Sequence, residues 1–195
     1  MPPQPQPQLT IGDWVQGPTA TVQVGSDHQA YQVHRDLLTH HSEYFVTAFN
    51  GHWRESNGTV VMDDVDPSVF NVFVHWLYAQ DLPNDEEEWI RVAVLPHNGN
   101  PPMSALEACA FGDRILAPKF FEAAWNAYVN MTWESDVGTS YEEVRFVSDN
   151  LPAKDFLMQY LVLDQCRKWY HTTTTENLRF EDLARENLPN EFMAR

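Results

Sequence analysis

Eight histidines and several closely spaced acids are the residues of this chain whose types invite chemistry. His34, His40 and His41 fall within one predicted helical stretch. Metal-binding histidines on a helix usually sit three or four apart, so that both rings reach one ion. Adjacent His40 and His41 point in different directions, and His34 reads as a hydrogen-bonding residue at a hairpin–helix junction. No metal and no cofactor are expected. Ser26-Asp27-His28 holds the residue types of a hydrolase relay in consecutive positions. A relay is a spatial arrangement that neighbours in a tight turn do not form. Asp63, Asp64 and Asp66 lack the mid-loop glycine and closing glutamate of a calcium loop; turn formation and helix capping account for them. The sequence contains no Gly-x-Ser-x-Gly elbow, phosphate-binding P-loop or dinucleotide fingerprint. Cys109 and Cys166, the two cysteines, each sit in an apolar helical pattern and read as reduced, small hydrophobes.

Charge narrows the partners. Twelve basic residues stand against twenty-eight acidic ones, a formal charge of −16. Phosphate backbones and anionic membranes both select for Lys and Arg, so direct binding to either is disfavoured. A basic protein surface is compatible with this charge. The acidic run Asp85–Glu88 reads as a solvated loop, with docking of a basic partner as the sharper alternative. No apolar run approaches the roughly eighteen residues of a membrane-spanning helix. Met1–Gln8 has Pro and Gln where a signal peptide needs a basic start and an apolar block, so a cytoplasmic and/or nuclear location is expected.

The elements that must position these groups follow from periodicity. At 43% hydrophobic residues with seven Trp, the chain is able to build a core. Residues 1–17 read as a disordered Pro/Gln-rich tail. Val22 and Val24 alternate with Thr21 and Gln23; turn chemistry at Gly25–His28 and a second alternation through Val33 predict a hairpin. Leu37, Leu38, His41, Tyr44, Phe45 and Phe49 predict one amphipathic helix stopping near Asn50-Gly51. A strand is expected over Thr59–Met62, and Asp66-Pro67 is a helix start, because Asp caps free amides and proline at the first position loses no bond. Residues 80–102 read as a loop holding a short strand or a turn of helix. Ser104-x-x-Glu107 has capping-box spacing and is expected to open a helix to about Leu116, with another starting at Pro118. Ser140-x-x-Glu143 offers a second box ahead of helices at roughly 141–149, 153–170 and 180–187. In the middle one, Phe156, Leu157, Tyr160, Leu161, Leu163 and Cys166 make an apolar face that must bury against something, its own domain being the expectation.

Several of these pieces, in this order and spacing, resemble a BTB/POZ domain, particularly the fungal branch of that family. They are His34-Arg35 opening a helix; Ser42-Glu43-Tyr44-Phe45; Gly51-His52-Trp53-Arg54-Glu55-Ser56; Asp66-Pro67 leading to Leu77-Tyr78; and Ala110-Phe111-Gly112-Asp113 running on to Pro118. The resemblance implies an α+β fold, a helical cluster flanked by a small β-sheet over residues 18–131, followed by a helical C-terminal extension over 132–195. His34, Arg35, Tyr44, Phe45, Leu77, Tyr78 and Asp113 are the family-signature positions, with structural roles. It also implies a protein–protein interaction module and no enzyme: one that self-associates, or an adaptor to a cullin-type ubiquitin ligase, or a regulatory subunit pairing with other BTB proteins. Tyr78, Asp81, Leu82, Glu86, Glu87 and Glu88 are the candidate partner contacts. A small enzyme with an unrecognised site is the competing class, and it requires a pocket with convergent polar groups. Where many family members carry an Asp on the first strand that serves the dimer interface, this chain has Thr21. The resemblance therefore does not carry the usual homodimer over. The stretch from Tyr78 to Ser104 is also longer than in typical members.

Overall fold

Ala20, Val22 and Val24 are buried on one face of β1 (Thr19–Val24), while Thr21 and Gln23 are half-buried on the other. The computed structural model describes residues 11–14, 16–50, 58–95, 99–133, 139–151 and 155–169. β1 pairs antiparallel with β2 (Gln29–His34), Val22 facing Tyr31, and parallel with β3 (Thr59–Met62), Val22 facing Val60. The sheet order is β2-β1-β3. At the hairpin turn Gly25 has φ +74° and donates its N–H to Met62 O at 3.0 Å. A side chain there would combine that strained backbone with contact on the Pro67 ring at 3.3 Å, so glycine is required.

The apolar run after the hairpin forms two helices, α2 (Arg35–His41) and α3 (Glu43–Asn50), where the sequence predicts one. The break is Ser42, extended at φ −142°. Its hydroxyl donates to Ile115 O at 2.5 Å and accepts from Phe45 N at 3.3 Å. Local bonding by a serine side chain competes with the helical ladder, and a carbonyl distant in sequence decides the competition here. The expected Gly51–Ser56 segment lies outside the described residues.

α4 (Pro67–Ala79) starts as predicted, Asp66 accepting from Ser68 N at 2.7 Å. It is the central helix. Phe73 lies 6.3 Å from Phe45, 5.5 Å from Phe111 and 5.0 Å from Phe120, and each of these four rings is at least 95% buried. Burial of rings this size contributes about 1.5–3 kcal/mol apiece.

Two expectations need correction. The acidic run is no loop: Asp85 accepts from Glu88 N at 2.9 Å and caps α5 (Glu86–Ala93). Carboxylates in the first turn complement the helix dipole, and Trp89, fully buried, anchors the helix. Nor does Ser104 open a helix. α6 (Pro101–Arg114) is already under way there, capped by Asn100, which accepts from Met103 N at 3.1 Å. Prolines in the first turn lose no hydrogen bond.

α7 (Pro118–Trp133) packs on α6 at Gly112, where an added Cβ would meet Phe120 Cδ1 and Phe121 N at 3.1 Å. The second box is real. Ser140 Oγ accepts from Glu143 N at 3.2 Å and Glu143 accepts from Ser140 N at 2.6 Å, opening α8 (Tyr141–Asn150). In α9 (Asp155–Trp169), Leu157 and Leu161 are fully buried, and Tyr160 meets Trp125 of α7 edge-on at 5.1 Å. Asp164 accepts from both Thr139 N and Thr139 Oγ1 at 2.9 Å, tying α9 to the start of α8. The apolar face of α9 thus buries largely against its own chain, although Phe156 and Leu163 remain 49% and 68% exposed. The helix expected at 180–187 lies outside the described residues, as does the side chain of Cys166. Within the stretch read as tail, α1 (Ile11–Trp14) ends on a buried Trp14, whose ring lies 4.9 Å from that of His40.

Candidate functional site

The family-signature residues knit the fold. The Tyr78 hydroxyl accepts from His34 N at 3.3 Å and bonds His34 Nδ1 at 2.7 Å, so the end of α4 is pinned to the junction of β2 and α2. Arg35 donates to Phe49 O at 3.1 Å and sits 4.9 Å over the Phe49 ring, closing the end of α3 by a carbonyl bond and a cation–π contact. Phe45 and Leu77 are fully buried, and half-buried Tyr44 meets Phe45 edge-on at 5.3 Å. Asp113 is exposed near the end of α6, its carbonyl accepting from Leu116 N at 3.1 Å.

The candidate partner contacts divide. α4 stops at Gln80, in the left-handed region at φ 55°, and the chain turns outward. Asp81 is exposed, its carboxylate accepting from Leu82 N at 2.9 Å. Leu82 is buried and Tyr78 is half-buried on His34, so both side chains hold the face from beneath. Glu86, Glu87 and Glu88 stand exposed on the first turn of α5. Asn130 Nδ2 donates to Asn84 Oδ1 at 2.8 Å and fixes the intervening loop to α7. Asp81 and Glu86–Glu88 are thus exposed carboxylates, able to accept hydrogen bonds from Lys or Arg.

The histidines and the triad-like run take structural places. His41 is buried between Trp14 and Trp76, its ring centroid 5.9 Å and 4.9 Å from theirs, with Nε2 3.3 Å from Gln80 Nε2. Burial first, then the charges of His40 and Lys119, lower its pKa to about 4, so it is neutral at physiological pH. His28 Nε2 faces Asp63 at 3.0 Å, and Ser26 Oγ lies 3.5 Å from Asp27. No three of His, Cys, Asp and Glu gather to hold a metal among the described residues. Cys109 is buried and free, and burial pushes its thiol pKa well up, away from thiolate chemistry.

Sequence reasoning missed one arrangement. Asp64 and Asp66, read as turn and cap, and Glu107, read as half of a capping box, converge with Asp113 on a cavity of about 490 Å³ beside the start of α4. Burial, then Asp66 and Glu142, hold the Glu107 carboxyl above the usual carboxylate range.

A mixed sheet of one hairpin and one parallel strand, backed by α4 and closed by Tyr78 on His34, spans the same residues as a known domain. Residues 16–95 match the BTB/POZ domain. The α+β arrangement is the BTB/POZ fold, and BTB/POZ domains are protein–protein interaction modules. The match ends at Leu95; α6 to α9 lie beyond it, α6 and α7 lending Phe111 and Phe120 to the aromatic core of α4. Over 75 residues the chain is 33% identical to the BTB/POZ and MATH domain-containing protein 6 of Arabidopsis thaliana. That stretch is 38% of this chain and 18% of the plant protein, so the chain spans under a fifth of that relative's length. Among the described residues no helix is long and apolar enough to cross a membrane.

Proposed function

We propose that this chain is a non-catalytic adaptor, whose BTB/POZ domain engages a protein partner through the anionic face of Asp81 and Glu86–Glu88. The observation that carries the reading is that these four carboxylates are all exposed and all lie inside the matched segment. Their charge selects a basic partner surface. A cullin-type scaffold of a ubiquitin ligase is the partner class that the BTB/POZ resemblance supports, and the cytoplasm or nucleus is where such a complex works. The segment Gly51–Ser56 supports a kinship with the fungal branch of the family.

The test is capture of the full chain on an immobilised cullin N-terminal domain. The wild type is retained at about 0.15 M salt and released as salt rises. Replacing Glu86, Glu87 and Glu88 together by Gln abolishes retention with the fold intact by circular dichroism. Equal retention of the triple variant overturns the reading.

Thr21 favours a second reading, pairing with a different BTB protein in place of a homodimer. Its Oγ1 accepts from Gln32 Nε2 at 2.8 Å, so it is engaged by its own hairpin and offers no carboxylate to a second copy. Light scattering across a concentration series should give the monomer mass throughout. A stable dimer would overturn this second reading and point to a self-associating scaffold.

A further inference from the structure

Where α7 and α9 lie side by side, their aromatic rings hold them together. Phe121 meets Phe156 at 6.3 Å, Trp125 meets Tyr160 edge-on at 5.1 Å, and the Thr132 hydroxyl lies 3.2 Å from that of Tyr160. The two helices therefore run in the same direction, since later residues on one meet later residues on the other. Burial along this pair is incomplete. Phe156 and Leu163 stand two turns apart on one side of α9 and keep about half or more of their surface, as does Trp133, which follows Thr132 at the end of α7. Single exposed apolar residues are ordinary. Three large ones on one helix pair leave apolar surface that a further element would bury.

The chain itself carries an element of the right kind. Beyond α9, outside the described residues, the sequence places Phe180, Leu183, Ala184 and Leu188 at helical spacing with charged residues between them, and Pro189 closes the stretch. The charges agree as well. Glu181, Asp182 and Glu186 belong to this segment, and the adjacent basic pair Arg167-Lys168 stands near the end of α9. Residues 170–179 span up to roughly 33 Å when extended. That exceeds the roughly 20 Å from Trp169 back along α9 to Phe156. A short tether holds the segment at an effective concentration on the order of millimolar, which a separate partner does not match. A second copy of the chain would bring another −16 of like charge to the contact.

We propose that the C-terminal segment Phe180–Leu188 folds back as an amphipathic helix and docks on the exposed face of α7 and α9. Its acidic first turn lies towards Arg167-Lys168, and Leu188 lies towards Phe156. The contact closes the apolar face within one chain and leaves the exposed carboxylates of Asp81 and Glu86–Glu88, on other elements, to a partner.

The test is hydrogen–deuterium exchange of the full chain, read by mass spectrometry beside a synthetic peptide of residues 176–195. A free helix this short is marginal in water, so slow exchange over 180–188 reports docking. The wild type should exchange there at least about tenfold more slowly than the peptide. Leu163→Asp and Trp133→Asp alter exposed positions on different helices. Each should bring 180–188 to the peptide's rate while α4 stays protected. Val94→Asp, at an exposed apolar residue that ends α5, should leave the protection unchanged. Protection should also hold across about a hundredfold range of protein concentration. Peptide-like exchange in the wild type would overturn the proposal and leave the face to a separate partner. Protection that survives either face variant would overturn it by placing the segment elsewhere. Protection that grows with concentration would overturn it by assigning the face to a second copy.

Discussion

Ser104-x-x-Glu107 and Ser140-x-x-Glu143 carry the same two residues at the same spacing and do different work. At α8 serine and glutamate exchange bonds of 3.2 Å and 2.6 Å and start a helix. On α6 the helix is already running, Ser104 is buried without a hydrogen-bond partner among the described residues, and Glu107 lines the acidic cavity. The cause lies upstream of each motif. Asn100-Pro101-Pro102 supplies a cap and two residues that suit a first helical turn, so initiation is settled before Ser104 is reached. At α8 the box itself opens the helix, and Thr139 before it is held by Asp164. A capping motif is therefore a statement about the chain that precedes it as much as about its own four residues.

If tight packing and not a box fixes α6, then Gly112→Val should be the most damaging change, because its added atoms meet the backbone of Phe121. A loss of about 1–3 kcal/mol is expected from the denaturation midpoint. For α8 the cap itself is the support, and Ser140→Ala should cost about 1 kcal/mol with an unchanged denaturant slope. The pH response separates the two glutamates from the core histidine. Glu107 and Glu143 are both held above the usual carboxylate range, burial being the first cause for each. Their folded pKa exceeds the unfolded one, so their contribution is full below about pH 4.5 and lost as pH rises through the folded value. His41 runs the other way: lowered to about 4, it favours the fold above pH 6.5 and loses that contribution as pH falls towards about 4. Glu107→Gln should accordingly gain more over wild type at pH 7 than at pH 4.5, and His41→Gln should flatten the decline between pH 6.5 and about 4. The smallest effect belongs to Ser104→Ala, within about 0.5 kcal/mol and on the stabilising side, since it removes an unpartnered hydroxyl from a helix interior. A loss as large as that of Ser140→Ala would mean that Ser104 has a structural bond after all.

Local chemistry was legible in the sequence wherever it acts alone. The hairpin, the Asp66-Pro67 start and the second capping box all follow from residues that are neighbours along the chain. The break at Ser42 did not, because its decisive partner is the carbonyl of Ile115. The acidic stretch was misread since exposure and helicity are compatible: Glu86–Glu88 are both solvated and the first turn of α5, and the buried Trp89 that requires the helix is a single residue. Of the candidate contacts, the charged ones proved exposed, whereas Tyr78 and Leu82 turned inward, as apolar surface near charges often does. The acidic cavity was out of reach, since Asp64, Asp66, Glu107 and Asp113 come together only when the β3–α4 loop packs beside α6.

The parallel pairing of β3 with β1 has a consequence for the chain as it is made. β1 and β2 are contiguous and close upon each other as soon as both have left the ribosome. The other flank of β1, Thr21 to Val24, stays uncovered until all of α2 and α3 has followed and Thr59–Met62 emerges. For that interval the nascent protein displays an open strand edge, the surface most prone to pairing with a neighbouring chain. Chains that stop ahead of Thr59 should therefore be captured by a chaperone more readily than the full-length chain.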